Sequence, residues 1–187
     1  MKMTQKKNPI LLVLALLLIT ASATAQKYLD KKGKLTFEAS EELFEPVKAV
    51  NESVTVILNT ETNEIASLAL MKGFRFKNSL MEEHFNENYI ESETYPKATF
   101  KGKLVDLKVS DLTESNTSVT VDGKIQLRGK EKEINTTLQV KKSGDAIVIQ
   151  GSFTVTPSDF DIDIPGVVRN KIAKEVIVSL DCKLTQK

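Results

Sequence analysis

Four side chains in one short stretch, Glu82, Glu83, His84 and Glu87, are of the types used for metal binding or acid–base chemistry. On a helix Glu83 and Glu87 stand at i, i+4, with His84 one position round from Glu83. His84 is the one histidine in 187 residues and Cys182 the one cysteine. That excludes multi-histidine and cysteine-rich zinc sites, and an internal disulfide. A metal site here would be oxygen-rich and weak, and the plainer reading is a solvated helix face with one packed or hydrogen-bonded His. A Ser-His-Asp triad would have to use His84, but no Gly-x-Ser-x-Gly elbow is present. Asp159, Asp161 and Asp163 alternate with Phe160, Ile162 and Ile164 like the opening of a calcium loop. The glycine and closing Glu of an EF-hand are missing, which leaves an exposed strand edge or loop. Cys182 falls in the apolar register of the last strand and reads as a buried structural thiol. These residues assemble no catalytic set, and neither a metal nor a cofactor is expected.

The elements that would carry any other function follow a period of two. Val119, Val121, Ile125 and Leu127 share one face, with Thr120, Asp122, Lys124, Gln126 and Arg128 on the other. Gly129-Lys130-Glu131-Lys132 reads as a turn, Ile134, Leu138 and Val140 as the next apolar face, and Ser143-Gly144-Asp145 as another turn. Ile147, Ile149, Phe153 and Val155 follow, so three strands form an antiparallel meander. Similar alternation at Leu35, Phe37 and Ala39, at Val54, Val56 and Leu58, at Leu68 and Leu70, and from Val176 to Leu184 adds further strands. Phe100, Leu104 and Val105 sit in one more, with the face switching near Gly102, where a β-bulge would fit. Eight strands are predicted, near 34–39, 52–60, 64–71, 97–109, 117–128, 133–141, 145–156 and 174–184. One helix is predicted over about 80–88, started by a capping box from Ser79 to Glu82. Residues 157–173, with Pro157, Pro165 and Gly166, read as an irregular crossing.

Composition agrees with one globular domain: 41% of residues are hydrophobic and 27% charged. Eight Gly and five Pro are too few for a collagen-like or disordered chain. The formal charge of +1 offers no field to attract nucleic acid. Residues 1–25 read as a secretory signal peptide. Lys2, Lys6 and Lys7 precede an apolar run from Ile10 to Ile19, and Ala21-Ser22-Ala23-Thr24-Ala25 supplies Ala-x-Ala sites. The run is too short to span a bilayer, and cleavage after Ala25 leaves no transmembrane segment in the mature form. It also takes away three lysines and no acid, moving the formal charge from +1 to −2 over residues 26–187. A chain of that size needs no disulfide staple. Eight antiparallel strands can form a sandwich or a closed barrel, and periodicity alone leaves both open.

Several motifs carry a resemblance. Ser79-Leu80-Met81-Glu82-Glu83-His84-Phe85-Asn86-Glu87-Asn88-Tyr89, then Tyr95-Pro96-Lys97-Ala98-Thr99-Phe100, resembles the YceI-like family. Val121-Asp122-Gly123-Lys124-Ile125-Gln126-Leu127-Arg128-Gly129 is similar to that family's Val-x-Gly-x-Leu-Thr-x-His-Gly hairpin, and Ser158-Asp159-Phe160 to its Ser-Asp-Phe-Gly element. The order of the motifs is the family's, over about residues 27–185. Arg128 stands where the family often has His, Asp161 where it often has Gly, and Phe85 replaces a common Leu. The usual Ser-Ile-x-Thr run is missing from Ile65 to Phe76. The resemblance implies an all-β fold: a single extended, antiparallel, eight-stranded, lipocalin-like barrel with one short inserted helix. It implies a non-enzymatic periplasmic or secreted protein holding a polyisoprenoid or other long-chain lipid in an apolar lumen. Candidate lumen residues are then Phe37, Leu68, Leu70, Phe74, Phe76, Phe85, Phe100, Phe153, Phe160 and Ile162. The alternative is a packed barrel that binds a partner protein through its outer surface. The oligomeric state is not read from the sequence.

Overall fold

The computed structural model describes residues 27–41 and 43–187. The expected signal peptide and its cleavage site lie outside the described residues. Nine strands run in chain order: β1 (Lys27–Ser40), β2 (Lys48–Asn59), β3 (Glu64–Leu70), β4 (Arg75–Phe76), β5 (Lys97–Leu104), β6 (Thr117–Leu127), β7 (Lys130–Ser143), β8 (Ala146–Val155) and β9 (Ile172–Gln186). All pairings are antiparallel, in the order β1-β9-β8-β7-β6-β5-β3-β2, and β1 also pairs with β2. The sheet therefore closes as an eight-stranded barrel. The two-residue β4 adds to β2 at the rim, Phe76 opposite Ala49. Closure decides between the two arrangements left open by the periodicity, because no long sheet edge is left to template aggregation.

Side chains alternate as a half-buried sheet requires. Val54, Val56 and Leu58 of β2, Val119 and Val121 of β6, and Ile147 and Ile149 of β8 are all buried. Every predicted strand is present. The turn between β6 and β7 is tighter than the predicted Gly129–Lys132. Leu127 pairs directly with Lys130, so Arg128 and Gly129 form a two-residue loop with φ of 47° and 74°. Two positive φ values are what a type I′ hairpin turn needs to match the strand twist.

Two further expectations are corrected. The pairings of β5 run without a register shift through Gly102, so no bulge sits there. Phe100, Gly102 and Leu104 keep one inward register, and Val105, beyond the end of β5, does not belong to it. The apparent face switch arose because a glycine occupies an inward position. The irregularities lie instead in β1, around Gly33 and between Glu38 and Ser40. Ser79 is also not the helix cap. Helix α1 (Ser79–His84) is capped by Asn78, whose Oδ1 accepts from the N–H of Leu80 at 2.9 Å and of Met81 at 3.4 Å. Glu82 does not close a capping box. Its carboxylate accepts from Arg75 Nη1 at 2.8 Å and from the Phe76 N–H at 3.1 Å, tying α1 to β4. A π-turn (Phe85–Tyr89) continues the helix, with the Ile90 N–H donating to the Phe85 carbonyl at 3.0 Å. Such wide turns insert a residue and re-aim the side chains around them.

Candidate functional site: a lumen open at one end

The barrel is solid in one half and hollow in the other. Along each long strand the inward residues toward one end pack together. Val54, Val56, Leu58, Leu104, Val121, Val140, Ile147, Ile149 and Leu184 are at most 2% exposed. Toward the other end the inward residues instead surround a cavity of about 480 Å³. The wall is built from Leu35, Phe37 and Ala39 of β1, Ala98 of β5, Ile125 and Leu127 of β6, Val155 of β8, and Ile172, Val176 and Val178 of β9. Met71, Phe74, Phe76, Met81 and Phe85 close the side where β4 and α1 cross the barrel, and Phe160, Ile162 and Ile164 close the side beneath the 157–171 crossing.

Four rings define the helix side. Phe85 stands 5.2 Å from Phe37 (stacked), 5.2 Å from Phe76 and 5.8 Å from Phe74, centroid to centroid. Phe37 lies 5.4 Å from Phe74 and 5.5 Å from Phe76. These distances and tilts fall in the favourable range for aromatic pairs. The wall they form is rigid, apolar and free of competing hydrogen-bond donors. Polar side chains lining the cavity are few: Glu45, His84, Tyr89 and Lys171. Lys171 Nζ sits 6.0 Å from the Phe44 ring centre, so residues 43–47 and the 161–171 loop meet at the rim. Burial pushes the Tyr89 phenol up, keeping it neutral. The site can bury a hydrocarbon chain and orient one polar end.

Six of the ten candidate residues line this cavity: Phe37, Phe74, Phe76, Phe85, Phe160 and Ile162. Four do not. Leu70 is 55% exposed, and Leu68 shares its outward register on β3, because Ile65 and Ala69 are the buried positions. The inward side of β3 carries small residues, Ser67 and Ala69, which pair with Phe100 and Ala98 of β5. Phe100 itself points inward beside the lining residue Ile125, but its ring leans over Gly102 and Gly123 and does not line the cavity. Phe153 is half-buried, pairs with Val178 and stands between Gly151 and the cavity-lining Val155, without lining the cavity itself. Residues that the sequence reasoning left out, Leu35, Ile125, Leu127, Val155, Val176 and Val178, had a usable signal. Each lies in the inward register of its strand, at the cavity end.

The polar residues with possible chemistry are dispersed. Glu83, His84 and Glu87 are exposed. Asp159, Asp161 and Asp163 pair separately with Lys132 (3.2 Å), Lys130 (2.7 Å) and Arg169 (3.8 Å) rather than converging on a calcium site. Among the described residues no group of three or more His, Cys, Asp or Glu is arranged to hold a metal ion. Cys182 is buried, and burial, with Asp30 and Asp181 nearby, pushes its thiol up to about 12.

The likeness to known proteins follows this geometry. No curated protein sequence matches the chain. Among solved structures, a polyisoprenoid binding domain from Saccharophagus degradans, implicated in plant cell wall breakdown, superposes with a TM-score of 0.75 at 18% identity, covering 88% of this chain and 100% of that one. BcnA of Burkholderia cenocepacia superposes at 0.66 with 16% identity, over 82% and 96% of the two chains. A Campylobacter jejuni YCEI protein reaches 0.54 at 14% identity, over 72% and 80%. At such identities the likeness is one of fold, and all three are similar over most of the barrel. A family model, the YceI-like domain, matches residues 24–184, which take in all the strands described above but the last two residues of β9. The chain belongs to the YceI-like domain family.

Proposed function

We propose that the protein is a non-catalytic lipid carrier that holds a long-chain amphiphile, of the polyisoprenoid kind, in the open half of its barrel. The observation that carries this reading is the cavity itself: about 480 Å³, walled almost wholly by carbon. Ligand sites of this size with few polar groups suit apolar molecules. Burial of a few hundred Å² of hydrocarbon contributes roughly 5–10 kcal/mol before ordering costs, at ~25 cal/mol per Å². The polyisoprenoid binding domain among its fold neighbours supports the same ligand class. The signal-like residues 1–25 support export to the periplasm or beyond, with Gln26 first in the mature chain.

Organic extraction of protein purified from its natural host, followed by mass spectrometry, tests the ligand. A stoichiometric long-chain lipid is expected. An empty barrel that melts no higher after incubation with prenyl or acyl lipids would overturn the carrier reading and favour partner binding through the outer surface. Export is tested by the intact mass of the same material, where a chain that still begins at Met1 would sink it.

A further inference from the structure

We propose that the mouth of the lumen docks on a neutral lipid surface, with Leu43 and Val167 inserting from two turns at its rim. This deepens the carrier reading, on which it rests, by naming the surface that gives up or takes the ligand.

The cavity meets solvent where its lining residues are exposed. Glu45 and Lys171 line it and are exposed, and Phe44, also in the lining, is 38% exposed. The contact of Lys171 with the Phe44 ring brings their two segments together at that opening. Each segment carries a hydrogen-bonded turn. The Phe44 N–H donates to the Glu41 carbonyl at 3.1 Å, and the Val168 N–H to the Pro165 carbonyl at 3.0 Å. Leu43 and Val167 therefore hold the same place, the third residue of a four-residue turn, each just before a residue that lines the cavity. Turns are dominated by Gly, Pro, Asn, Asp and Ser, since a side chain at such a corner has little to pack on. Here a leucine and a valine stand out instead, 92% and 83% exposed. These are the highest values among the large hydrophobics of the described residues, and Leu70, the next, is at 55%. One bare apolar side chain on a surface is ordinary. Two at matching turn corners, on the segments that meet at an apolar mouth, break the local rule twice at one site, which points to a functional constraint.

Their number and setting select the occupant. A specific protein partner, or a second copy of the chain, needs about 1,000 Å² of buried surface with good fit, and two protruding corners do not make such a face. A lipid surface accepts them singly, because each has only to dip into the acyl boundary to leave water. The surrounding charges make that lipid neutral. Residues 41–47 and 163–174 carry four acids and three bases, so the rim has no cationic excess to seek anionic headgroups. In this docked position a hydrocarbon tail passes between bilayer and lumen without being bared to water, a step whose cost grows with every methylene.

The sequence holds no tryptophan, which makes the test direct. Leu43→Trp and Val167→Trp each place one fluorophore at the rim of the mature protein. Ile57→Trp places one on the outward side of β2, beside Val56 and Leu58 of the solid half, as a control. Neutral phosphatidylcholine vesicles should shift the emission of the first two to shorter wavelength, at low and high salt alike, and leave the third unmoved. Leu43→Ser combined with Val167→Ser should bind the same vesicles at least about tenfold more weakly than the parent, the least expected from withdrawing a buried Leu or Val side chain. A shift seen only with anionic vesicles and lost in high salt would overturn the proposal in favour of charge attraction. A dimer of the parent that the double Ser variant abolishes would also overturn it, assigning the corners to a second copy. Uptake of a fluorescent fatty acid from the vesicles, with neither a shift nor vesicle binding, would overturn the docking and leave the carrier reading standing. Vesicle binding without uptake of any lipid would overturn the carrier reading, and with it the purpose assigned to the docking. Should a Trp variant fail to fold, flotation of the parent with neutral vesicles still decides.

Discussion

Arg128 donates from Nη1 to the main-chain oxygen of Asp161 at 2.6 Å, joining the β6–β7 turn to the crossing that covers the lumen. The same guanidinium pairs with Glu91 and lies 5.7 Å from the Tyr95 ring centre. One side chain thus gathers the segment after the helix, the Tyr-Pro loop, the hairpin and the Ser-Asp-Phe turn. Two of the positions that depart from the family pattern, Arg128 and Asp161, touch each other. Asp161 sits at φ 56°, a left-handed conformation in which glycine is at ease and Asp is tolerated better than most residues. Arg128→Ala should lower stability by roughly 1.5–3 kcal/mol in urea titration, the usual range for lost hydrogen bonds to charged groups. Arg128→Lys should recover only part of this, since an ammonium cannot make the fork and lie over Tyr95 together. Asp161→Gly should melt above Asp161→Ala, because both lose the Lys130 ion pair but only alanine keeps the backbone strain.

The helix cap gives a second contrast. Asn78→Ala removes the side chain that accepts from Leu80 and Met81, and should cost about 0.5–2 kcal/mol by chemical denaturation. Ser79→Ala, one residue on, should fall within ~0.5 kcal/mol of the parent. Equal effects would mean that the cap is shared.

Cys182 predicts an alkaline signature. With its thiol held at about 12 in the folded barrel and near ~8.5 in the unfolded chain, folding favours the protonated form. The stability this thiol contributes is complete below the unfolded value and is lost as pH rises from there toward 12. The stability difference between parent and Cys182→Ala should therefore be flat up to about pH 8. Above that it should shift against the parent by up to ~1.4 kcal/mol per pH unit. Paired denaturant titrations at pH 7 and at pH 10 check it, and a thiol reagent should label native protein far more slowly than unfolded.

Glycine substitutions test the close approaches at the inward glycines, independently of any ligand. A Cβ at Gly102 would sit 2.4 Å from the Asp122 main-chain oxygen, whereas at Gly151 the nearest atom is the movable Cδ2 of Leu138. Gly102→Ala should cost ~1–3 kcal/mol or more in thermal melting, and Gly151→Ala less.

The outward leucines provide a control for the lumen. Leu70→Ser should leave bound lipid unchanged and stability within ~0.5 kcal/mol. Phe85→Ala removes the ring that touches Phe37, Phe74 and Phe76, and should reduce lipid affinity at least tenfold while costing ~3–5 kcal/mol. Calorimetric titration of the same lipid into both variants distinguishes them.

Legibility in the sequence followed the kind of interaction that places each residue. Strand positions were readable because burial on one side of a sheet imposes a period of two, as Val176, Val178, Leu180, Cys182 and Leu184 show along β9. The inward side of β3 was not. There the hydrophobic signal of Leu68 and Leu70 points outward, while the buried register is carried by Ile65 and the small Ala69. Phe37, Phe74, Phe76 and Phe85 were readable as candidates by type, but their convergence depends on α1 lying across the barrel mouth. The spacing to Glu82 points to Ser79 as the cap, whereas Asn78, one residue earlier and equally suited by type, takes the role through backbone geometry. Phe100 and Phe153 share the inward register of their strands and pair with the lining residues Ile125 and Val178, yet neither ring lines the cavity. Periodicity reports which way a side chain points, not how far along the barrel axis the hollow extends.

The double pairing of β1 has a consequence for how the molecule is made. Tyr28 lies opposite Leu58 on one side and Gln186 on the other, so the first strand is flanked by the second and the last. Seven strands can accumulate in order from local hairpins, but the seam can be sealed only when the final fifteen residues of β9 arrive. Until then both β1 and β8 present bare strand edges, and the contact that removes them spans nearly the whole sequence. Such late, long-range closure makes for slow folding and a window of vulnerability to aggregation. A chain broken off before residue 172 would keep most of its hydrogen bonds and still be an open, adhesive sheet.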